Sequence, residues 1–160
     1  MKYIEKVGDL FAEKNCYYAH CISADFALGA GIAVEFNKRY NMSKQLKEYI
    51  KDYPQNKDSK CIAIENVFNL ITKDKYYNKP TYDSLKASLE EMKDKIEKRI
   101  LFNEWNESLG QYGLIDHDIY KLAIPLLGCG LDRLKWEQVS QMIKEIFDDI
   151  DVEIVVCKLK

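Results

Sequence analysis

Histidine is nearly missing from this chain, with only His20 and His117 in 160 residues, and none of its five cysteines forms a Cys-x-x-Cys pair. Cys16, Cys21, Cys61, Cys129 and Cys157 are odd in number and scattered, which excludes a disulfide framework and a zinc site and points to reduced thiols. His20 and Cys21 are neighbours, but on a strand they face opposite sides of a sheet, so His20 reads as a buried structural histidine. A basic excess is missing too: with 24 Lys and Arg against 26 Asp and Glu, the net charge of −2 is not that of a general nucleic-acid binder. No apolar run approaches the roughly 18 residues that span a bilayer, and the opening "MKYIEKV" has no apolar signal core. A cytoplasmic protein without a membrane partner is therefore expected. Seven glycines and three prolines leave no room for long linkers, so residues 1–160 are expected to form a single domain.

What is present is an alternation of element types. "KYIEKV" and "CYYAHCI" read as strands, and "GIAVEFNKRY" and "SKQLKEYIKDY" carry helical spacing. "CIAIENVFNLIT" reads as two strands meeting near Glu65 and Asn66. A helix begins at Thr81, where Leu85, Leu89, Met92 and Ile96 share one face, a stripe that belongs to the core. The stretch from Ile100 to Asp118 is expected to form a second short helix and a loop, with Phe102 and Trp105 as packing residues. "IYKLAI" is a strand, Trp136, Val139, Ile143 and Ile146 mark a last helix face, and "VEIVVCKL" closes as a strand. Strands separated by helices imply a layered α/β fold with a mostly parallel or mixed sheet.

In such folds ligands sit beyond the carboxyl ends of the strands. Gly29-Ala30-Gly31 follows the "CYYAHCI" strand and opens a helix, and Gly128-Cys129-Gly130 follows "IYKLAI" and precedes another. Bare backbone there lets successive amides face phosphate oxygens, so the pair of loops suits a diphosphate. Val34 stands where a dinucleotide fingerprint needs its third glycine, and no P-loop pattern occurs, which argues against a nicotinamide enzyme.

"AHCISADFALGAGIAVEF", "LITKDKYYNKPTYDSL" and "IPLLGCGLDRLKWEQVSQMI" together resemble the terminal ADP-ribose protein glycohydrolase branch of the macro-domain family. Ile22-Ser23-Ala24-Asp25 replaces an Asn-Ala pair found in most other macro-domain hydrolases, which is part of what places the chain in this branch. The resemblance implies a three-layer α/β/α macro domain with a central mixed sheet and an ADP-ribose cleft. By motif position, Asp9 and Leu10 meet the adenine and Ser23 lines the cleft. Gly29, Ala30, Gly31, Ile32, Ala33 and Val34 form one phosphate and ribose loop. Leu126, Leu127, Gly128, Cys129, Gly130 and Leu131 form the other, and Leu159 touches the adenosine end. Leu126 stands where relatives often carry arginine, and Cys157 where they often carry tyrosine.

The same resemblance assigns catalysis to Lys73 and Asp132. A neutral amine attacks the anomeric carbon of the distal ribose and the carboxylate handles protons. Nearby Lys75 is expected to help keep Lys73 neutral. Cys129 reads as a small spacer in its loop, since no histidine motif accompanies it. The implied activity is removal of ADP-ribose from acidic side chains of modified proteins, with deacetylation of O-acetyl-ADP-ribose as a second ester cleavage. Release of ADP-ribose from modified DNA bases, as in the related antitoxin macro domains, and ADP-ribose binding without cleavage are the alternatives, and ADP-ribosylated nucleic acid is accordingly a possible partner. No cofactor and no metal is implied, and a monomer is expected.

Overall fold

Six β-prone runs pair into one sheet, in the order β1-β6-β5-β2-β4-β3. They are β1 (Lys2–Val7), β2 (Tyr17–Ser23), β3 (Cys61–Ile64), β4 (Val67–Lys73), β5 (Tyr120–Ile124) and β6 (Val152–Lys158). The computed structural model describes residues 1–108 and 120–159, with side chains described outside 101–108. Every neighbouring pair is parallel except β3 and β4, which form an antiparallel hairpin through Glu65 and Asn66. Glu65 takes the left-handed turn conformation there, at φ 52. Five strands thus end on the same edge of the sheet, and β1, β2, β4 and β5 lead into loops there.

Helices cover both faces. On one side lie α1 (Ile32–Tyr40) and α2 (Met42–Asp52), whose Phe36, Met42 and Leu46 are fully buried against Val67, Ile71 and Ala123. On the other lie α3 (Tyr82–Ser108) and α4 (Trp136–Phe147). The expected stripe Leu85, Leu89, Met92 and Ile96 is sealed against Phe68, Leu70 and Leu122. Val139 and Ile143 are buried with Phe147, whereas Trp136 and Ile146 flank that face, partly exposed. The result is a three-layer α/β/α architecture around a mixed sheet. No helix among the described residues is long and apolar enough to cross a membrane.

One expectation needs correction. Residues 100–108 do not start a second helix: α3 runs unbroken for 27 residues to Ser108. Ile100 continues the four-residue spacing from Ile96 and packs against the same core, and no glycine interrupts the run before Gly110. The remainder of that stretch, and the side chains of Phe102 and Trp105, lie outside the described residues.

The two sides of β2 behave as its alternation demands. His20 stacks on Phe36, with ring centroids 4.0 Å apart, while Cys21 packs into the opposite core. All five thiols are free. Because Leu89 has no exposure, its truncation to alanine leaves a cavity that the rigid α3–sheet contact fills poorly. Leu89→Ala is expected to lower unfolding free energy by about 2–5 kcal/mol, read from urea denaturation midpoints at unchanged slope.

Candidate active site

The carboxyl ends of β1, β6, β5, β2 and β4 follow one another along a single edge. Asp9 and Leu10 follow β1, Leu159 follows β6, residues 126–132 follow β5, Ser23 ends β2 before Gly29–Val34, and Lys73 ends β4. With strands about 4.8 Å apart, the row from β1 to β4 spans about 19 Å. Topology therefore gathers every sequence-predicted residue onto one rim.

At the β4 end of that rim stands an ion pair. Lys73 Nζ lies 2.8 Å from Asp132 Oδ1, and both side chains are largely buried, at 15% and 17% exposure. The two residues come from strands separated by β2, so the loop after β5 crosses the end of β2 to bring the carboxylate to the amine. Beneath them Cys21 is pushed up to about 12 by burial, with the Asp132 charge adding to the rise. Burial also raises the Cys129 thiol to about 11, and its Sγ donates to the Leu127 carbonyl at 3.3 Å. Both thiols are therefore held in their protonated form at neutral pH.

The loop carrying Asp132 is fixed by its own backbone. Cys129 N donates to Leu126 O at 3.1 Å, Arg133 N to Gly130 O at 3.2 Å and Leu134 N to Gly128 O at 2.8 Å. Leu127 and Gly128 are buried, while Gly130 and Leu131 are exposed on the rim. Gly128 sits at φ +71, and a Cβ there would come within 2.9 Å of Leu134 Cδ1. Leu134 is able to swing away, but the left-handed backbone remains costly for any L side chain. Gly128→Ala is expected to cost about 1–2 kcal/mol, measured as a lowered denaturation midpoint.

The second loop is built from buried side chains under strain. Phe26 and Leu28 both take positive φ, at 56 and 45, and both are buried, so packing holds the turn. Gly31, at φ 61, opens α1 without a side-chain cap. The first-turn amides of Ile32 and Ala33 thus face the rim with the positive end of the helix dipole behind them. Gly29, Ala30 and Gly31 are exposed; Ala33 is buried beneath, and Ile32 and Val34 are half-buried.

Sequence reasoning missed two residues that tie these pieces together. Asp25 accepts from the Ser23 hydroxyl, from Ala27 N at 3.1 Å and, through its second oxygen, from Tyr76 N at 2.9 Å. Burial alone would raise its carboxyl, but these hydrogen bonds outweigh burial and hold it lowered. Lys79 donates to Leu131 O at 3.0 Å. The segment after Lys73 is therefore anchored to both loops. An aspartate two residues ahead of a bare amide is a turn signal that "SADFA" carried; nothing local pointed to Lys79.

At the other end, Asp9 caps the turn Leu10–Ala12 by accepting from Phe11 N at 3.0 Å. Leu10 is buried, and Leu159 is 86% exposed. Among the described residues no group of three or more histidine, cysteine or acidic side chains is arranged to hold a metal. A surface groove of about 1140 Å³ between α3 and α4 has a highly charged lining and contains none of these residues.

No protein-family model matches the sequence. The human ADP-ribose glycohydrolase OARD1 is 40% identical over 158 residues, covering 95% of this chain and 88% of the human one. The chain belongs to the terminal ADP-ribose glycohydrolase branch of the macro-domain family. It is a hydrolase, and the rim is its candidate active site. Among solved structures, the macrodomain of Mycobacterium tuberculosis DarG superposes with a TM-score of 0.68 at 21% identity, over 97% of this chain and 96% of that one. Thermosipho africanus DarTG in complex with ADP-ribose gives 0.66 at 16% identity, over 98% of this macro domain and 41% of that chain. At such identities these two show the fold, and the human relative shows the branch.

Proposed function

We propose that this macro domain hydrolyses the ester joining ADP-ribose to an acidic protein side chain, with Lys73 as nucleophile and Asp132 as acid and base. The observation that carries this reading is the largely buried 2.8 Å Lys73–Asp132 pair at the end of a rim holding two amide-rich loops. The rim's length of about 19 Å suits an adenosine at the β1 end, a diphosphate between the loops and a distal ribose against the pair. Uncapped amides at the start of α1 and the bare backbone near Gly130 supply the donors that the diphosphate needs. Asp9, Leu10 and Leu159 stand at the adenosine end, and Ser23 lies beneath the path between the loops.

The chemistry follows from the pair. An ammonium has no lone pair, and the Asp132 carboxylate is in place to take its proton. The freed Lys73 nitrogen bonds to the anomeric carbon as the bond from that carbon to the acyl oxygen breaks, and the departing protein carboxylate takes the electron pair and the proton held by Asp132, which is a carboxylate again. Opening of the ribose ring leaves a Schiff base on Lys73. Water, deprotonated by Asp132, then adds to the same carbon, the nitrogen leaves, and ADP-ribose is released. Acetylated ADP-ribose presents an ester on the same sugar and is a second substrate on this reading. Incubation with an ADP-ribosyl-glutamate peptide should release ADP-ribose, and borohydride added during turnover should trap an adduct that maps to Lys73. Turnover without any trapped adduct would remove the covalent route.

A further inference from the structure

The rim accounts for ADP-ribose and leaves the departing half of the substrate without a place. A separate cleft of about 450 Å³ meets the site at Lys73 and Ala24 and contains no residue of either glycine loop. Its origin is the shortness of the edge strand. β3 begins at Cys61, paired with Leu70, so Ile71, Thr72 and Lys73 run past its start, with only Ile71 N bonded outward, to Lys60 O. The space flanking those last residues of β4 is the cleft.

Its charge opposes that of the chain. Lys57, Lys60, Lys73 and Lys79 line it against Asp58 and Asp74, in a protein whose net charge is −2. Among the described residues neither Lys57 nor Lys60 has an acidic partner within salt-bridge distance, and both are exposed. Thr81 and Ser84, which cap the start of α3, form another wall, so the positive end of a long helix adds to the field. Thr72 also lines the cleft, and its buried hydroxyl has no partner.

We infer that this cleft receives the polypeptide bearing the modified carboxylate, and that it selects modification sites with further acidic residues beside them. The inference rests on the function proposed above and names the substrate class of that same site. A leaving carboxylate detaches where Lys73 borders the cleft, and neighbouring carboxylates of an acidic segment fall within reach of Lys57 and Lys60. The enclosed volume suits a few side chains. A nucleic-acid strand asks for a continuous basic track, whereas here Lys57 and Lys73 are each followed by an aspartate.

The test compares KM for two ADP-ribosyl-glutamate peptides, one with acidic flanks and one with glutamines in their place, and for O-acetyl-ADP-ribose, which has no flank. Wild type is expected to favour the acidic peptide by about fivefold in KM at low salt, with the preference fading at high salt. The exposed pair Lys57→Glu, Lys60→Glu should abolish that preference and leave kcat and the acetyl ester unchanged. Equal KM for both peptides in wild type would overturn the inference alone. So would a double variant that weakens only an ADP-ribosylated single-stranded oligonucleotide, which would mark a nucleic-acid track. Failure of wild type to turn over any ester would instead fell the proposed function, and this inference with it.

Discussion

Lys73→Ala is expected to lower turnover of an ADP-ribosyl-glutamate peptide by about a thousandfold or more, and Asp132→Ala by about a hundred- to ten-thousandfold. The two effects should not add. Each residue completes the other: without Asp132 the amine has no nearby base, and without Lys73 the carboxylate has no nucleophile to serve. The double variant should therefore be little slower than the worse single one. Binding is the control, because the amides at α1 and around Gly130 are untouched. Calorimetry with ADP-ribose should show affinity retained within about tenfold in Lys73→Ala, with the loss confined to kcat. Removing one partner also leaves a largely buried charge alone, so Asp132→Asn, which keeps the shape, is the cleaner companion. Full turnover by both alanine variants would end the lysine–aspartate mechanism.

The second large effect concerns acid. His20 has no exposure, and its Nε2 lies 2.7 Å from Asn69 Oδ1. Asn69 Nδ2 donates to Ile62 O, so its oxygen is the acceptor toward the ring and Nε2 carries the proton. Nδ1 is then bare and unpartnered, and a second proton there would create a buried imidazolium. Burial lowers the His20 pKa to about 4, with the Asn69 hydrogen bond only partly opposing it. The unfolded chain takes up that proton near pH 6.5. Since the folded value is the lower one, the unfolded state binds more protons between these limits, and stability falls as pH drops from about 6.5 toward 4. At about 1.4 kcal/mol for each pH unit, the full loss is on the order of 3 kcal/mol.

Urea midpoints from pH 7 to 4.5, in a His117→Gln background that leaves one histidine, isolate this group. Carboxylates held low, such as Glu5 at about 2, add their own loss once pH falls below about 5, where the unfolded chain begins to protonate them, so the interval above pH 5 reports on the histidine. His20→Gln should flatten the slope between pH 6.5 and about 5 even if it lowers stability at pH 7. A slope that survives the substitution would place the acid sensitivity elsewhere.

Much of this molecule was legible residue by residue. The strands, α1, α2, the stripe on α3 and the opposite faces of His20 and Cys21 follow from periods of two and of three to four residues, which the chain carries locally. Gly31 and Gly128 announce turns because only glycine takes their backbone conformation without strain. Where local pattern was thin the reading slipped: Ile100 continues the spacing of α3, yet the stretch that begins there was expected to be a separate short helix. Phe147 was passed over at a helix end, although it is as deeply buried as Val139.

The order of strands was beyond the sequence. Lys73 and Asp132 lie 59 positions apart, and the motifs that carry them mark candidates without measuring their separation. They meet because β4, β2 and β5 are consecutive in the sheet and parallel, so three loops open on one edge. The anchoring of the Tyr76–Lys79 segment by Asp25 and Leu131, and the cleft past the start of β3, likewise exist only once the chain is folded. Neighbouring residues fix dihedral preference and which side of an element turns inward; which distant segments then share an edge is decided by how the buried faces of the described strands and helices close together, a property that no short stretch possesses.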